Sequence, residues 1–452
     1  MRLIVTTLFT TFALSLAASA STINVPADYP TIQGAVDAAS DGDEIIVAPG
    51  TYTSTQDGHV VNMKRKAITL RSSNGPEVTI IDGQDDRRGI ACVSGENKAT
   101  VIEGFTITNG DNTWYDYDDD GNEDVWEDDG GGIICSYSNP TFLNCRISSN
   151  TANGVYGYGG GIFCWRSSPI LTGCTIKDNT ASYVGGGISI RNRSYASLVD
   201  CTIESNTADA GAGIDAYDSS PTISDCTISG NSAGSYGLGG GIYWYNQDWD
   251  QIITISGCTI SNNTAKDGGG IFGRADDITI TDCKISNNTA YETGGGIWLY
   301  GNVDVMDITI TNCTISGNTV LISSGGGIYC NDVSNEDFTT MITNCTITGN
   351  TAPGSGGGIW GGHNTLTNTT ICSNEPDQVY GKWNDEGGST VEDECPNCSG
   401  DATGDFFVDV NDVLYVLSAW GSDDANADFD ENGLVDVNDV LILLSQFGEA
   451  CP

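Results

Sequence analysis

G-G-G-I-F-C-W-R-S-S-P-I-L-T-G-C-T-I-K-D-N, from Gly159 to Asn179, is one copy of a unit that occurs nine times between Gly130 and Asn374. Its G-G-G-I mark starts at Gly130, Gly159, Gly185, Gly211, Gly239, Gly268, Gly294, Gly325 and Gly356, at intervals of 26 to 31 residues. Only the copy at Gly211 departs, with Ala212 in place of the second glycine. A period of this size marks stacked supersecondary units.

Two apolar positions flank the cysteine of each unit: Leu171 and Ile176 around Cys174, Phe142 and Ile147 around Cys145, Ile280 and Ile285 around Cys283. Apolar residues five apart cannot share one face of an uninterrupted strand. A bend must intervene, and the residue before the cysteine is Asn144, Gly173, Asp200, Asp225, Gly257, Asp282, Asn312, Asn344 or, where Thr369 replaces the cysteine, Asn368. These types tolerate left-handed backbone. Each unit is therefore predicted to be a strand, a left-handed corner, a second strand closing at an asparagine, a glycine corner and a third strand opening at G-G-G-I. That is one coil of a parallel β-helix.

Coils in such a solenoid lie about 4.8 Å apart, so like residues stack. Asn150, Asn179, Asn206, Asn231, Asn263, Asn288, Asn318, Asn350 and Asn374 are predicted to form a side-chain amide ladder. A leucine-rich solenoid would need a leucine framework that this chain lacks. Cys145, Cys174, Cys201, Cys226, Cys258, Cys283, Cys313 and Cys345 share one rung, and Cys135, Cys164 and Cys330 another. Neighbouring rungs are wider than the roughly 3.8 Å a disulfide wants between Cβ atoms, so these thiols are expected to pack as free, small apolar groups. Cys372, Cys395, Cys398 and Cys451 stand outside the ladders. A bridge from Cys451 to Cys395 or Cys398 is expected there.

The chain has 17 Lys and Arg against 60 Asp and Glu, a net charge of -43. Such a surface repels nucleic acid and attracts divalent cations, calcium foremost. Two histidines, His59 and His363, exclude a histidine metal cluster. Residues 1–20 carry Arg2, an apolar run diluted by threonine and Ala18-Ser19-Ala20, which read as a secretory signal peptide. A secreted or cell-surface monomer with no membrane insertion is the expectation.

Residues 21–110 hold the N-terminal cap and first coils, with Ile32, Ala35, Val36 and Ala39 on one face of a helix that lids the solenoid. Tyr29 to Tyr52, Y-P-T-I-Q-G-A-V-D-A-A-S-D-G-D-E-I-I-V-A-P-G-T-Y, resembles the entry segment of pectate-lyase-like right-handed β-helix proteins. The G-G-G-I and T-I-x-x-N marks are also similar to repeats of chlamydial polymorphic membrane proteins. These resemblances imply an all-β, right-handed parallel β-helix through about residue 391.

Residues 111–129 form an acidic insertion in which Asp116, Asp118, Asp120, Gly121, Asn122, Asp124 and Glu127 take the positions of an EF-hand calcium loop. A solvated acidic loop is the alternative. After a repeat region running to 391 and a linker at 392–400, residues 401–452 contain two related loops, each leading into an amphipathic helix. The second places Asp428, Asp430, Asn432, Leu434, Asp436 and Asp439 at ligand positions; the first offers Asp401, Thr403, Asp405, Asp409 and Asp412, with Phe406 where the turn glycine belongs. This duplicated loop and helix resembles a type I dockerin. The resemblance implies a small α-helical, calcium-dependent module and a cohesin-type partner.

With the G-G-G-I isoleucine inward, the next residue and the one two further on point outward. Those positions hold Phe163, Trp165, Tyr217, Tyr243, Tyr245, Phe272, Trp298, Tyr300, Tyr329 and Trp360, interrupted by Arg191 and Arg274. Such files suit a sugar-stacking groove, or a cross-strand stack that only stabilises the sheet. Arg191 and Asp215 on the next rung, with Arg193 and Asp218 nearby, are the nearest approach to the basic and acidic pair a polysaccharide lyase would use. Three readings follow: a polysaccharide-binding or adhesive surface protein, a polysaccharide lyase or glycoside hydrolase acting on an acidic glycan, and a structural scaffold.

Overall fold

The structure, a computed structural model, describes residues 20–55, 58–111, 129–154, 156–234, 237–246, 252–274, 277–301, 306–332, 338–395, 400–403, 408, 410–424, 426–430, 432–445 and 447. Residues 1–19, within the segment expected to be a signal peptide, the loop from Asp116 to Glu127, and Asp405, Asp409, Cys398 and Cys451 lie outside them. The chain forms two compact units, residues 1–208 with 212–222, and residues 209–211 with 223–452.

In the first unit one coil consists of the strands Ile133–Ser136, Thr141–Leu143, Arg146–Ser148 and Thr151–Ala152. Each pairs in parallel, in register, with the matching strand of the next coil, so that Ile133 faces Ile162, Phe142 faces Leu171, Ile147 faces Ile176 and Ala152 faces Ala181. The second unit repeats the pattern, with Ile271 on Ile297, Ile280 on Ile310, Ile285 on Ile315 and Ala290 on Val320. These residues are buried and form the core.

All nine residues expected at the corner before the cysteine have positive φ, from Asn144 at 50° to Asn368 at 47°. The first glycine of each G-G-G-I is left-handed too. Sequence reasoning foresaw these two corners but missed a third. The residue before each ladder asparagine, such as Ser149, Asp178 or Asn287, also has positive φ, and from Asn150 to Asn318 a fourth short strand follows the asparagine. The third glycine is needed for a different reason: a Cβ on Gly161 would lie 2.6 Å from Gly187 O and 3.0 Å from Asn179 Nδ2.

The asparagine ladder forms as predicted. Asn179 Nδ2 donates to Asn206 Oδ1 at 3.0 Å and to Ile147 O at 3.0 Å, while its Oδ1 accepts from Asn150 N and Nδ2. Every polar group of this buried amide is thus satisfied, as burial demands. In the second unit the ladder ends at Gln378, whose Oε1 accepts from Asn374 Nδ2 at 2.9 Å.

The ladder cysteines are free and buried, and Cys92, in register with Cys135, heads the second file. Cys258 is pulled down by its contact with Cys226, but the contact with Cys283 and burial outweigh that and push the thiol up to about 12. Such thiols stay protonated and unreactive. One branch of the expected terminal bridge is corrected: Cys395 is bonded to Cys372 and so not to Cys451, while a bond from Cys451 to Cys398 lies outside the described residues. The cause is an extra coil that lacks G-G-G-I, in which Val379–Asp385 pairs with Ile359–Thr367 and Thr390–Glu392 with Thr370–Cys372. This coil returns the chain to Cys372, where sequence reasoning saw only a closing cap.

At the start of the fold the helix Ile32–Ala38 is capped by Thr31, whose Oγ1 accepts from Gly34 N, and it buries Ile32, Ala35 and Val36. Toward the other end, helices Val410–Ser418 and Val437–Ser445 pack around a small core of Ala402, Val408, Val416, Ala427, Val435 and Leu443. Among the described residues no helix is long and apolar enough to cross a membrane.

Candidate functional site

The G-G-G-I strands carry the aromatic files. In the second unit Tyr243, Phe272, Trp298, Tyr329 and Trp360 stack rung upon rung, with ring centroids 4.1 Å apart for Phe272 and Trp298 and 4.2 Å for Tyr329 and Trp360. Tyr380, from the extra coil, continues the stack 6.2 Å beyond Trp360 and was missed because no G-G-G-I announces it. Interplanar angles of 7° and 2° in the tightest pairs mean that each ring covers its neighbour's face. The file is therefore half-buried, Phe272 fully so, and offers solvent a ridge of ring edges. Each stacked pair contributes roughly 0.5–1.5 kcal/mol beyond its burial.

Beside this ridge runs the second file, Tyr245, Arg274 and Tyr300, in register across three coils. The Arg274 guanidinium lies 4.7 Å from the Tyr245 ring centroid and 4.9 Å from that of Tyr300, so rings cover both its faces. Its Nη1 donates to Tyr245 Oη at 2.9 Å. Tyr300 also stacks on Trp298 at 5.7 Å, which ties the two files together.

The first unit uses the same positions differently. Phe163 points outward as expected, yet it is fully buried, because Tyr158 from the segment before Gly159 stacks on it at 6.0 Å. It is thus corrected from an exposed sugar platform to part of a second, outer apolar cluster with Ala91 and Ile134. Trp165 remains half-buried beside it, 6.4 Å between centroids. Arg191 lies 4.1 Å from the Tyr158 ring and 5.0 Å from that of Tyr217.

Arg191 and Asp215, paired on sequence grounds, do meet: Nε donates to Asp215 Oδ2 at 3.0 Å, and Ser189 Oγ donates to the same oxygen at 2.7 Å. Burial pushes the Asp215 carboxyl above the usual carboxylate range, against the pull of Arg191 and Ser189. Burial also works against the Arg191 charge, but Asp215, Tyr158 and Asp129 outweigh it and hold the guanidinium above its usual range. Asp215 is inaccessible to solvent, so its part here is to hold and neutralise Arg191.

Metal-ligand residues converge in one described place. Carboxylate oxygens of Asp428, Asp430 and Asp439 lie within 4.8 Å of one another. The loop is preshaped by its own acids: Asp428 Oδ2 accepts from Gly433 N at 2.7 Å, Asp439 Oδ1 from Phe429 N at 2.7 Å, and Asp436 Oδ1 from Asn438 N at 2.7 Å. No Lys or Arg exists from residue 400 onward to neutralise these charges. Hard oxygen donors on a tight loop around a left-handed Gly433 suit calcium. In the first loop Asp412 Oδ1 accepts from both N and Oγ1 of Thr403 at 2.9 Å, which draws Thr403 to the helix start.

With three left-handed corners per coil, parallel in-register strands and an inward isoleucine file, the architecture is that of a parallel β-helix. The chain belongs to the right-handed β-helix family, described as "Right handed beta helix region", whose model matches residues 45–263 and 186–375. Among solved structures it is similar to the catalytic unit of a thermostable GH87 α-1,3-glucanase from Streptomyces thermodiastaticus (14% identity, TM-score 0.45, over 84% of this chain and 71% of that one). It is also similar to the Siphovirus 9NA tailspike receptor binding domain (13%, TM-score 0.32, over 83% and 77%). A third similarity is to PfbA, a surface adhesin of Streptococcus pneumoniae (13%, TM-score 0.23, over 80% and 88%). No curated protein matches the chain.

Proposed function

We propose that this chain is a secreted β-helix protein that binds an extended polysaccharide along the aromatic ridge of its G-G-G-I strands and is tethered through a calcium-folded tail. The observation that carries the reading is the half-exposed file from Tyr243 to Tyr380, flanked by Tyr245, Arg274 and Tyr300. A ridge of ring edges, phenols and indoles repeating about every 4.8 Å matches a chain molecule better than a small ligand, because no pocket is required and each rung adds a weak contact. By analogy with aromatic pairs, sugar contacts of ~1 kcal/mol per rung would sum to weak multisite binding.

Replacing Trp298, Tyr300 and Tyr245 together by alanine should abolish retention on a panel of insoluble polysaccharides while the circular dichroism of the coils persists. Equal retention would make the ridge a purely structural stack, a role that the near-parallel pairs at 4.1 and 4.2 Å favour as the second reading. Release of unsaturated sugar ends by the parent chain would replace binding with lyase activity.

In the tail, Asp428, Asp430, Asn432, Asp436 and Asp439, with the Leu434 carbonyl, would hold calcium, and the ion would offset carboxylates that otherwise repel. The tail's helices leave Val410, Leu414 and Leu417, and at matching positions Val437, Leu441 and Leu444, about half exposed. Such faces support a protein partner of the cohesin type. Calcium added to the chelated full chain should raise its helix signal, and Asp428→Ala should weaken that response more than Asp401→Ala. An identical signal with and without chelator would remove calcium from the account.

A further inference from the structure

Arg191 and Arg274 occupy the same position of the coil, each pressed between two tyrosine rings, yet their surroundings differ in one decisive respect. Ser189 lies two residues before Arg191, with Asp215 in register on the next coil; the equivalent residues around Arg274 are Phe272 and Trp298. The first guanidinium is neutralised by a buried carboxylate at 3.0 Å. The second makes no ion pair among the described residues. Among the described residues its side-chain hydrogen bond goes to the neutral Tyr245 hydroxyl.

A guanidinium covered on both faces can interact further only in its own plane, through N–H groups arranged as a fork. That fork matches the two oxygens of a carboxylate or sulfate and offers little to a neutral hydroxyl beyond an ordinary hydrogen bond. Holding a charge on an aromatic ridge with no counterion among the described residues also costs solvation, which an incoming anion offsets. We propose that the Tyr245, Arg274 and Tyr300 clamp reads an anionic substituent, carboxylate or sulfate, on the polysaccharide, whose sugar rings lie along the neighbouring Trp298 ridge. This rests on the glycan-binding reading above and adds the substrate class. The local charge selects the ligand although the chain as a whole carries -43, since screening confines each charge to about 10 Å at ordinary salt.

The test compares retention of the full chain on polygalacturonate against its methyl ester and on dextran sulfate against dextran, in chelator so that calcium cannot bridge acidic chain and acidic polymer. The parent should prefer one charged polymer of these pairs, and which one tells carboxylate from sulfate. Arg274→Met, which keeps the stem between the rings, should lose that preference by about tenfold or more, as expected for a charge-assisted fork, while Arg274→Lys keeps part of it. A parent indifferent to charge, or an Arg274→Met chain with undiminished preference, overturns the proposal. If retention is also unchanged in the Trp298, Tyr300 and Tyr245 triple variant, the glycan reading itself fails; if the triple variant alone loses retention, only the anionic class is wrong.

Discussion

The two arginine slots show how one coil position can serve opposite ends. Around Arg191 the first unit has built an internal salt: a buried Asp215 and Ser189 beneath the guanidinium, Tyr158 and Tyr217 over its faces. Around Arg274 the second unit keeps the rings and places Phe272 and Trp298 where Ser189 and Asp215 stand in the first. An arginine with its counterion inside the fold is a structural tie, whereas one without it is poised toward solvent and whatever anion solvent brings. The difference lies in what the next coil places in register, aspartate or tryptophan.

The largest test of this contrast is stability. Arg191→Met leaves Asp215 as an uncompensated buried carboxylate and should cost about 3–5 kcal/mol, as for breaking a buried pair. Arg274→Met forfeits cation–π contacts and the hydrogen bond to Tyr245 Oη at a half-buried site and should cost about 1–2 kcal/mol. Denaturant unfolding of the full chain measures both, and equal losses would break the comparison.

A smaller effect sharpens it. Asp215→Asn keeps the shape of the first slot while removing its counterion, so retention on dextran sulfate should rise by a few-fold. Acidification should do the same to the parent. Because burial raises the Asp215 pKa, the carboxylate takes up its proton at a higher pH than an ordinary aspartate, and Arg191 is freed as pH falls through that value. Sulfate stays ionised throughout, so any gain on acidification belongs to the protein. Retention by Asp215→Asn should lack this component, and a parallel pH profile in the two chains would remove Asp215 from the account.

Much of the molecule was legible because a solenoid turns local chemistry into global order. Asn144 or Asp282 before the cysteine announced a left-handed corner, since few other residues tolerate one, and Asn179 or Asn288 at a fixed place announced a ladder. The third corner carried a signal of the same kind, with Gly230, Asn262, Asn287, Gly317 and Gly349 at the place of Ser149 and Asp178, and it was missed because the second strand was taken to run on to the asparagine itself. Phe163 was read as exposed because periodicity tells which side of a sheet a residue faces; only the fold shows that Tyr158 folds back over it.

What the amino-acid sequence determined by itself is the coil: its period, its inward isoleucines, its glycine and asparagine corners and the pairing of like residues, all of which follow from backbone sterics and a repeat about 4.8 Å tall. What only the tertiary structure decided is everything set by residues of different coils and segments meeting in space. The bond from Cys372 to Cys395, the extra coil that brings it about, the mutual covering of Trp298 and Phe272, and the contrast between an Arg191 neutralised by Asp215 and an Arg274 with no ion pair among the described residues belong to that second class. Burial and counterion distance are properties of a neighbourhood, and no periodicity along one chain states who the neighbours are.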